Sequence, residues 1–219
     1  FPRKQTGQLE QNLYKLKQKL NDALPGEDAQ YMMAPLKRIK TNISDLQPED
    51  YRLSAVMVLI CTDMNDNLYI PLTERFAYDG VHSGQVSLPG GKFDVEDIDH
   101  CNTALRECAE EIGIDKIDVE VLGELSPLYI PVSRYLVKPV VGFCRLKNPD
   151  LKKNPREVRH IVKFYLNELT NENTVKSGNI NLSNGQKIQS PFYLVEDLKV
   201  WGATAMILSE FKTVLKTIF

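Results

Sequence analysis

The sequence predicts an α/β protein in which a mixed sheet is covered by helices on both faces. Three observations lead there. "RLSAVMVLICT" (52–62) is a nearly continuous apolar run, as expected of a buried strand. One amphipathic helix, over 99–112, stands between that strand group and a second one. A further helix, "GATAMILSEFKTVLKTIF", closes the chain. Strands, one central helix, more strands and a closing helix is an order that places helices on both sides of a sheet.

The elements follow in chain order. Leu9, Leu13, Leu16 and Leu20 recur at helical spacing among Lys and Gln, which predicts an amphipathic helix over 7–23. Pro25-Gly26 stops it. The leucine row either packs on the domain or meets a second copy, so a homodimer is one of two expectations. "EDAQYMMAP" adds a short turn or helix. Residues 1–50 are thus a helical extension, and 51–219 the main domain. After the 52–62 strand, "DMNDN" is a turn and "LYIPLTE" (68–74) a second strand, so the pair reads as a hairpin. "RFAYDGVHSGQVSLPGGKFDVED" is a long loop, and loops of this length in compact domains are usually functional. The central helix stops at Gly113. "KIDVEVLGELSPLYIP" and "RYLVKPVVGFCRL" supply strands, and "NPREVRHIVKFYLNEL" a strand with a short helix. Asn184-Gly185 marks a hairpin, with "PFYLVED" as a strand after it.

Bulk properties narrow the function. Hydrophobic residues at 42% and charged residues at 26% fit one well-packed globular domain with an extension. With 27 basic and 29 acidic residues, the chain has no charge excess suited to nucleic acid or a membrane surface. No apolar run approaches the ~20 residues that span a bilayer, and the amino terminus shows no signal-peptide core. Cys61, Cys101, Cys108 and Cys144 form no CxxC pair, and His82, His100 and His160 are scattered. The pattern argues against a zinc site and for reduced thiols in the cytoplasm.

The central helix carries the chemistry. On a helical wheel Leu105, Cys108, Ala109 and Ile112 share one side, and Arg106, Glu107, Glu110 and Glu111 the other. Glu107 and Glu111 stack on adjacent turns, with Glu110 beside them. Three acids so close repel one another without a partner. Mg2+ or Mn2+ would resolve this, because hard divalent cations favour carboxylate oxygens. Arg106 and Glu110, four apart, can pair and brace the array. The plain alternative is a solvated charged face. The "LPGG" before the helix weighs against it, because glycine lets backbone approach a ligand closely.

At these residues the stretch resembles the Nudix box, G-x5-E-x7-R-E-U-x-E-E-x-G-U with U aliphatic. "RECAEEIGI" (106–114) matches the second half, with Cys108 in a U position. The first half departs: the spacing from Gly91 to Arg106 is one residue longer, and Asp97 is the nearest equivalent of the usual glutamate. "PLTERFAYDGVHSGQVSLPGG" (71–91) is similar to the upstream signature of the coenzyme A pyrophosphatase branch. Leu72, Thr73, Arg75, Gly84, Pro89, Gly90 and Gly91 agree with it. Phe76, Gly80 and Leu88 depart, with Gly80 in place of an arginine.

The resemblance implies a Nudix-type α/β/α sandwich around a central mixed sheet. It implies metal-dependent hydrolysis of a nucleoside diphosphate linked to another group, with a small nucleotide as substrate. Coenzyme A or acyl-coenzyme A, cleaved to 3',5'-ADP and (acyl-)4'-phosphopantetheine, leads. ADP-ribose, NADH or another nucleotide is the alternative within the class. A catalytically silent domain binding a nucleotide or a protein is the alternative outside it, against which stand three intact box glutamates.

Glu107 and Glu111 lead as metal ligands, Glu111 also among the catalytic residues. Glu110 is a third ligand, a base acting through water, or only the partner of Arg106. Arg106 orients the array. Gly90 and Gly91 shape the turn, the carbonyl of Gly91 being a candidate ligand and Gly90 a substrate contact. Arg75 holds a phosphate in bidentate fashion or is an ordinary strand-end arginine. His82 and Lys92 are further phosphate contacts. Glu157 is a base, a second-metal ligand or a surface glutamate. Asp94 and Asp97 cap the coming helix. Arg134, Tyr135 and Lys138 are substrate-face candidates.

Overall fold

The computed structural model describes residues 3–76, 85–182 and 185–218. Helices α1 (Arg3–Leu20) and α2 (Gly26–Tyr31) open the chain. Strands β1 (Arg52–Thr62), β2 (Leu68–Arg75), β3 (Val86–Ser87) and β4 (Gly90–Lys92) follow, then helix α3 (His100–Ile112). Next come β5 (Val119–Glu124), β6 (Leu128–Ile130), β7 (Tyr135–Lys147), β8 (Val158–Tyr165) and α4 (Leu166–Thr170). Finally β9 (Val175–Asn181), β10 (Lys187–Val195) and β11 (Leu198–Trp201) lead into α5 (Gly202–Leu215).

β1 is apolar throughout because both its faces are covered. Ala55, Met57, Leu59 and Cys61 point to one core, with Ala104, Cys108 and Ile112 of α3. Val58 and Ile60 point to the other, with Ala205, Met206, Leu208 and Phe211 of α5. The sheet is therefore sandwiched between α3 and α5, as the sequence predicts. It is mixed: β1 runs parallel to β7 from Arg52↔Tyr135 to Ile60↔Phe143. β5 and β6 pair antiparallel with β7, and β8 with the outer edge of β2.

β1 and β2 pair antiparallel at Cys61↔Tyr69 and Thr62↔Leu68, then diverge. The gap is filled by the segment the sequence marks as plain loop. β3 pairs with β2 at Thr73↔Ser87 and Glu74↔Val86, and β4 pairs with β1 from Ser54↔Lys92 to Val56↔Gly90. Buried backbone groups on the splayed strands need partners, and this segment supplies them. The other departure is a second, three-stranded antiparallel sheet, β9-β10-β11. β9 exposes Lys176, Ser177, Asn179 and Asn181, so it suits a sheet with one wet face rather than the buried central one. Asn184 lies outside the described residues, but Asn181↔Lys187 pairing makes β9 and β10 the expected hairpin.

The amino-terminal helices share the main core. Leu16 and Leu20 sit in the α5-side cluster, with Leu13 packed against it. The fully buried Glu210 of α5 accepts from the Gly26 amide, the Gln30 side chain and the Ser126 amide at 3.1, 2.9 and 3.3 Å. A buried carboxylate is costly unless so bonded, so Glu210 ties α2 to the sheet. Arg134, a sequence candidate for the substrate face, instead donates to the Glu49 and Asp50 carbonyls at 2.7 and 3.1 Å. Among the described residues, no helix is long and apolar enough to cross a membrane.

Candidate metal and diphosphate site

α3 is bounded by its own sequence. The Asp99 carboxylate accepts from the Asn102 amide at 2.8 Å, and Gly113 ends the helix at φ 74°, in the left-handed region. Asp94 and Asp97, expected as caps, are not; Asp99 stands where the chain is extended immediately before the first turn. A second correction concerns the wheel. Thr103, Ala104, Cys108, Glu111 and Ile112 are the buried residues of α3. Glu111 lies seven residues from Ala104, almost the same direction on the helix. It therefore belongs to the sheet-facing side, with its side chain 1% exposed.

Two residues of β2 meet it there. Thr73 and Arg75 are two apart on a strand and so share a face. Thr73 Oγ1 donates to Glu111 Oε2 at 3.1 Å, and Arg75 Nη2 to Glu111 Oε1 at 2.8 Å. Arg75 Nη2 also donates to the Gly90 carbonyl at 3.2 Å. Burial pushes the Glu111 carboxyl up to about 7, against the pull of Arg75 and Thr73, and the charges of Glu107 and Glu157 push the same way. Thr73 matches the upstream signature, but no role follows for it from sequence; its two-residue spacing from Arg75 was the signal.

Glu107 is one turn earlier and partly buried, which raises its carboxyl although Arg106 opposes the shift. β4 is where two glycines leave room for close approach. A Cβ on Gly91 would lie 2.2 Å from Glu107 Oε1, and one on Gly90 would lie 2.5 Å from the Ala55 carbonyl oxygen. The backbone of Gly91 thus lies directly against the Glu107 carboxylate.

Arg106 is a brace. Its Nε and Nη2 donate to Asp97 at 3.1 and 3.0 Å, its Nη2 to the Lys92 carbonyl at 3.1 Å, and its Nη1 to Glu107 at 2.8 Å. The guanidinium holds the Asp97 carboxyl down to about 2. Asp97 also accepts from Thr103 Oγ1 at 2.8 Å. The residue nearest to the usual box glutamate therefore fixes the arginine in place.

The remaining candidates divide. Glu110 is 54% exposed and reaches Arg106 at 3.5 Å. Glu157 is exposed, yet its charge is felt at both Glu107 and Glu111. The turn it occupies is held to α3 by Asn154, whose amide donates to the Glu111 carbonyl at 3.0 Å. Lys92 is exposed beside Gly91, its carbonyl taken by Arg106. His82, like Gly80 and Gly84 of the upstream signature, lies outside the described residues.

The donor set fits a hard divalent cation. Glu107, Glu110 and Glu111 face two arginines, Asp97 already engages one of these, and the charge of Glu157 adds to Glu107 and Glu111. They do not form a closed cage: no three of their ligand oxygens lie within 4.8 Å of one another. Arg75 draws Glu111 and Arg106 draws Glu107.

A mixed sheet between helices, with glutamates of one helix set against a glycine strand, defines a Nudix-type hydrolase. The chain belongs to the NUDIX domain family, whose profile matches residues 51–183. Enzymes of this family act on small nucleotide substrates and generally use divalent cations. The chain is similar to an uncharacterized Nudix hydrolase, NudL, of Photorhabdus laumondii: 37% identical over 139 residues, 64% of this chain and 73% of that protein. It is similar to the mitochondrial coenzyme A diphosphatase NUDT8 of Mus musculus: 31% identical over 192 residues, 86% and 88% of the two chains. It spans 58% of the length of two Nudix hydrolases of Arabidopsis thaliana. A Nudix hydrolase from M. smegmatis, RenU, shares the fold, with a TM-score of 0.51 at 14% identity over 85% of this chain and 95% of that one.

Proposed function

We propose that the protein hydrolyses the diphosphate of coenzyme A or an acyl-coenzyme A, releasing 3',5'-ADP and (acyl-)4'-phosphopantetheine. The observation that carries the reading is Glu111: a carboxylate sealed under the sheet edge, one turn from Glu107, whose carboxylate lies against the Gly91 backbone. The coenzyme A part rests on the upstream signature, Leu72 to Gly91, and on the named activity of the mouse relative.

Glu107 and Glu111 would hold Mg2+ or Mn2+, with Glu157, Glu110 and the Gly91 carbonyl as the further donors within the same cluster. When bound, such an ion supplies Lewis acidity toward a diphosphate and makes water a nucleophile near neutrality. The chain's own residues do the rest. Arg106, fixed by Asp97, sets the orientation of Glu107. Arg75, which donates to Glu111, has the fork geometry to hold a substrate phosphate in bidentate fashion. Glu110, exposed at the mouth, is free to take a proton from water. Lys92 adds positive charge beside Gly91. The four free cysteines suit a reducing compartment, which we take to be the cytoplasm.

The test is a panel of coenzyme A, ADP-ribose, NADH and a dinucleoside polyphosphate with Mg2+ or Mn2+, run on wild type and Glu111→Gln. Coenzyme A is expected to have the highest kcat/KM, and Glu111→Gln to lose at least ~100-fold, since a metal contributes several kcal/mol. Preference for another substrate by orders of magnitude removes coenzyme A. Wild type as inactive as the variant throughout makes the domain a binder.

A further inference from the structure

Two adjacent side chains in the first turn of α3 meet a third from the end of β5. His100 Nε2 lies 2.7 Å from Glu124 Oε1, and Cys101 Sγ donates to the same oxygen at 3.5 Å. Among the described residues, this is the one triplet of His, Cys, Asp or Glu whose ligand atoms all lie within 4.8 Å of one another. The imidazole and carboxylate are 31% and 40% exposed, so the cluster opens to solvent on one side. The ligands are invisible as a motif because the third is far along the chain.

We propose that His100, Cys101 and Glu124 form a second metal site, for a borderline-soft divalent cation of the zinc class, separate from the glutamate cluster. The donor types select the ion. Thiolate and imidazole favour zinc-like cations, whereas Mg2+ favours oxygen alone. The spacing agrees. Tetrahedral bonds of zinc length separate a thiolate sulfur from a carboxylate oxygen by about 3.6 Å, close to the 3.5 Å present between Cys101 and Glu124. Imidazole nitrogen and carboxylate oxygen would stand about 3.4 Å apart, so the 2.7 Å His100–Glu124 hydrogen bond opens as coordination replaces it. Three protein ligands leave the fourth position to water.

Binding is a proton exchange. An ordinary cysteine thiol is protonated at neutral pH, and metal ligates as thiolate. The S–H bond breaks, the sulfur–metal bond forms, and the proton passes to buffer. His100 ligates through the neutral Nε2 lone pair, and Glu124 as carboxylate. The positive end of the helix dipole opposes a cation here; Glu124 and Asp99, whose charges both reach Cys101, offset it. His100 precedes Glu107 by seven residues, about 10 Å along the axis. The ion therefore takes no part in hydrolysis. It staples the start of α3 to β5 and so steadies the helix that carries the box glutamates.

The test uses the full chain, freed of metal, titrated with Co2+ alone and then with Zn2+. One equivalent of Co2+ is expected at this site, read from a thiolate-to-cobalt charge-transfer band that an all-oxygen site does not give, with release of about one proton per thiolate-bound ion and displacement by Zn2+. Cys101→Ser should abolish the band. His100→Gln and Glu124→Gln should weaken binding by more than the ~10–100-fold that loss of an outer-sphere partner costs. Glu107→Gln should keep the band, and saturating Zn2+ should raise the Tm of wild type by more than that of Cys101→Ser. No thiolate band in wild type, or a band that survives in Cys101→Ser and so comes from Cys61, Cys108 or Cys144, overturns the proposal.

Discussion

The Arg75 guanidinium lies 2.8 Å from the Glu111 carboxylate, joining the end of β2 to the buried face of α3. Without metal, this contact is the main compensation for a charge in a nearly sealed position. Among the described residues, Arg75→Ala leaves Thr73 as the side chain donating to Glu111, and should cost about 1–3 kcal/mol in denaturant unfolding of the metal-free protein. Saturating Mg2+ should narrow the loss, because the cation and Arg75 serve the same carboxylate. An equal loss with and without Mg2+ would refute that shared role.

The two glycines of β4 should separate stability from activity. A Cβ at Gly90 meets the Ala55 carbonyl, which is backbone and cannot yield. Gly90→Ala should therefore destabilise the fold by about 1–3 kcal/mol, in the range of overpacked sites. A Cβ at Gly91 meets the Glu107 carboxylate, the end of a flexible side chain. Gly91→Ala should melt near wild type and lose turnover because Glu107 is displaced. The opposite assignment of the two defects, in paired melts and assays, would contradict the placement of Glu107 against β4.

Asp97 gives a pH-dependent prediction. Arg106 holds its carboxyl at about 2, below the ordinary aspartate value of about 3.9. A lowered folded-state value means stability that is present above pH ~3.9 and lost as pH falls through about 2. Asp97→Asn should thus be less stable than wild type at neutral pH, and the gap should close on acidification across that window. Urea melts at stepped pH measure it. A gap that stays constant down to the low end would mean the stabilisation is not ionic.

Glu110 is exposed, and among the described residues it pairs with Arg106 at 3.5 Å. Exposed pairs of this kind contribute ~1 kcal/mol or less. Glu110→Gln should melt like wild type. If it accepts a proton in turnover, kcat should fall by about 100-fold or more. A normal kcat removes it from the machinery and leaves the salt bridge as its whole role.

Leu16 of α1 is fully buried in the core it shares with α5. Leu16→Ala should destabilise the whole domain by about 2–5 kcal/mol in a single cooperative transition. Melting of α1 ahead of the sheet would show instead that the extension is only loosely docked.

Much of this was legible in the chain. The apolar run of β1, the helical spacing of Leu9 to Leu20, the Gly113 stop and the Arg106–Glu111 cluster rest on local periodicity and on residue-specific backbone preference. The structure keeps the β1 run and the Gly113 stop, shifts the first helix from 7–23 to Arg3–Leu20, and turns Glu111 to the buried side of α3. The β3 and β4 pairings were not legible, because two or three residues between glycines carry no period of their own. They form only because β1 and β2 splay and leave hydrogen-bonding groups to satisfy.

The sequence by itself determined the fold class, the family resemblance and which carboxylates share α3, since all are matters of neighbours along the chain. Tertiary structure alone decided which carboxylate is sealed from water, that Arg75 and Thr73 would meet it, and that Asp97 would fix Arg106 rather than cap the helix. It alone brought Glu124 to His100 and Cys101. Burial and cross-strand proximity set those outcomes, and both depend on which strands become adjacent, a property no stretch of residues holds before the sheet has assembled.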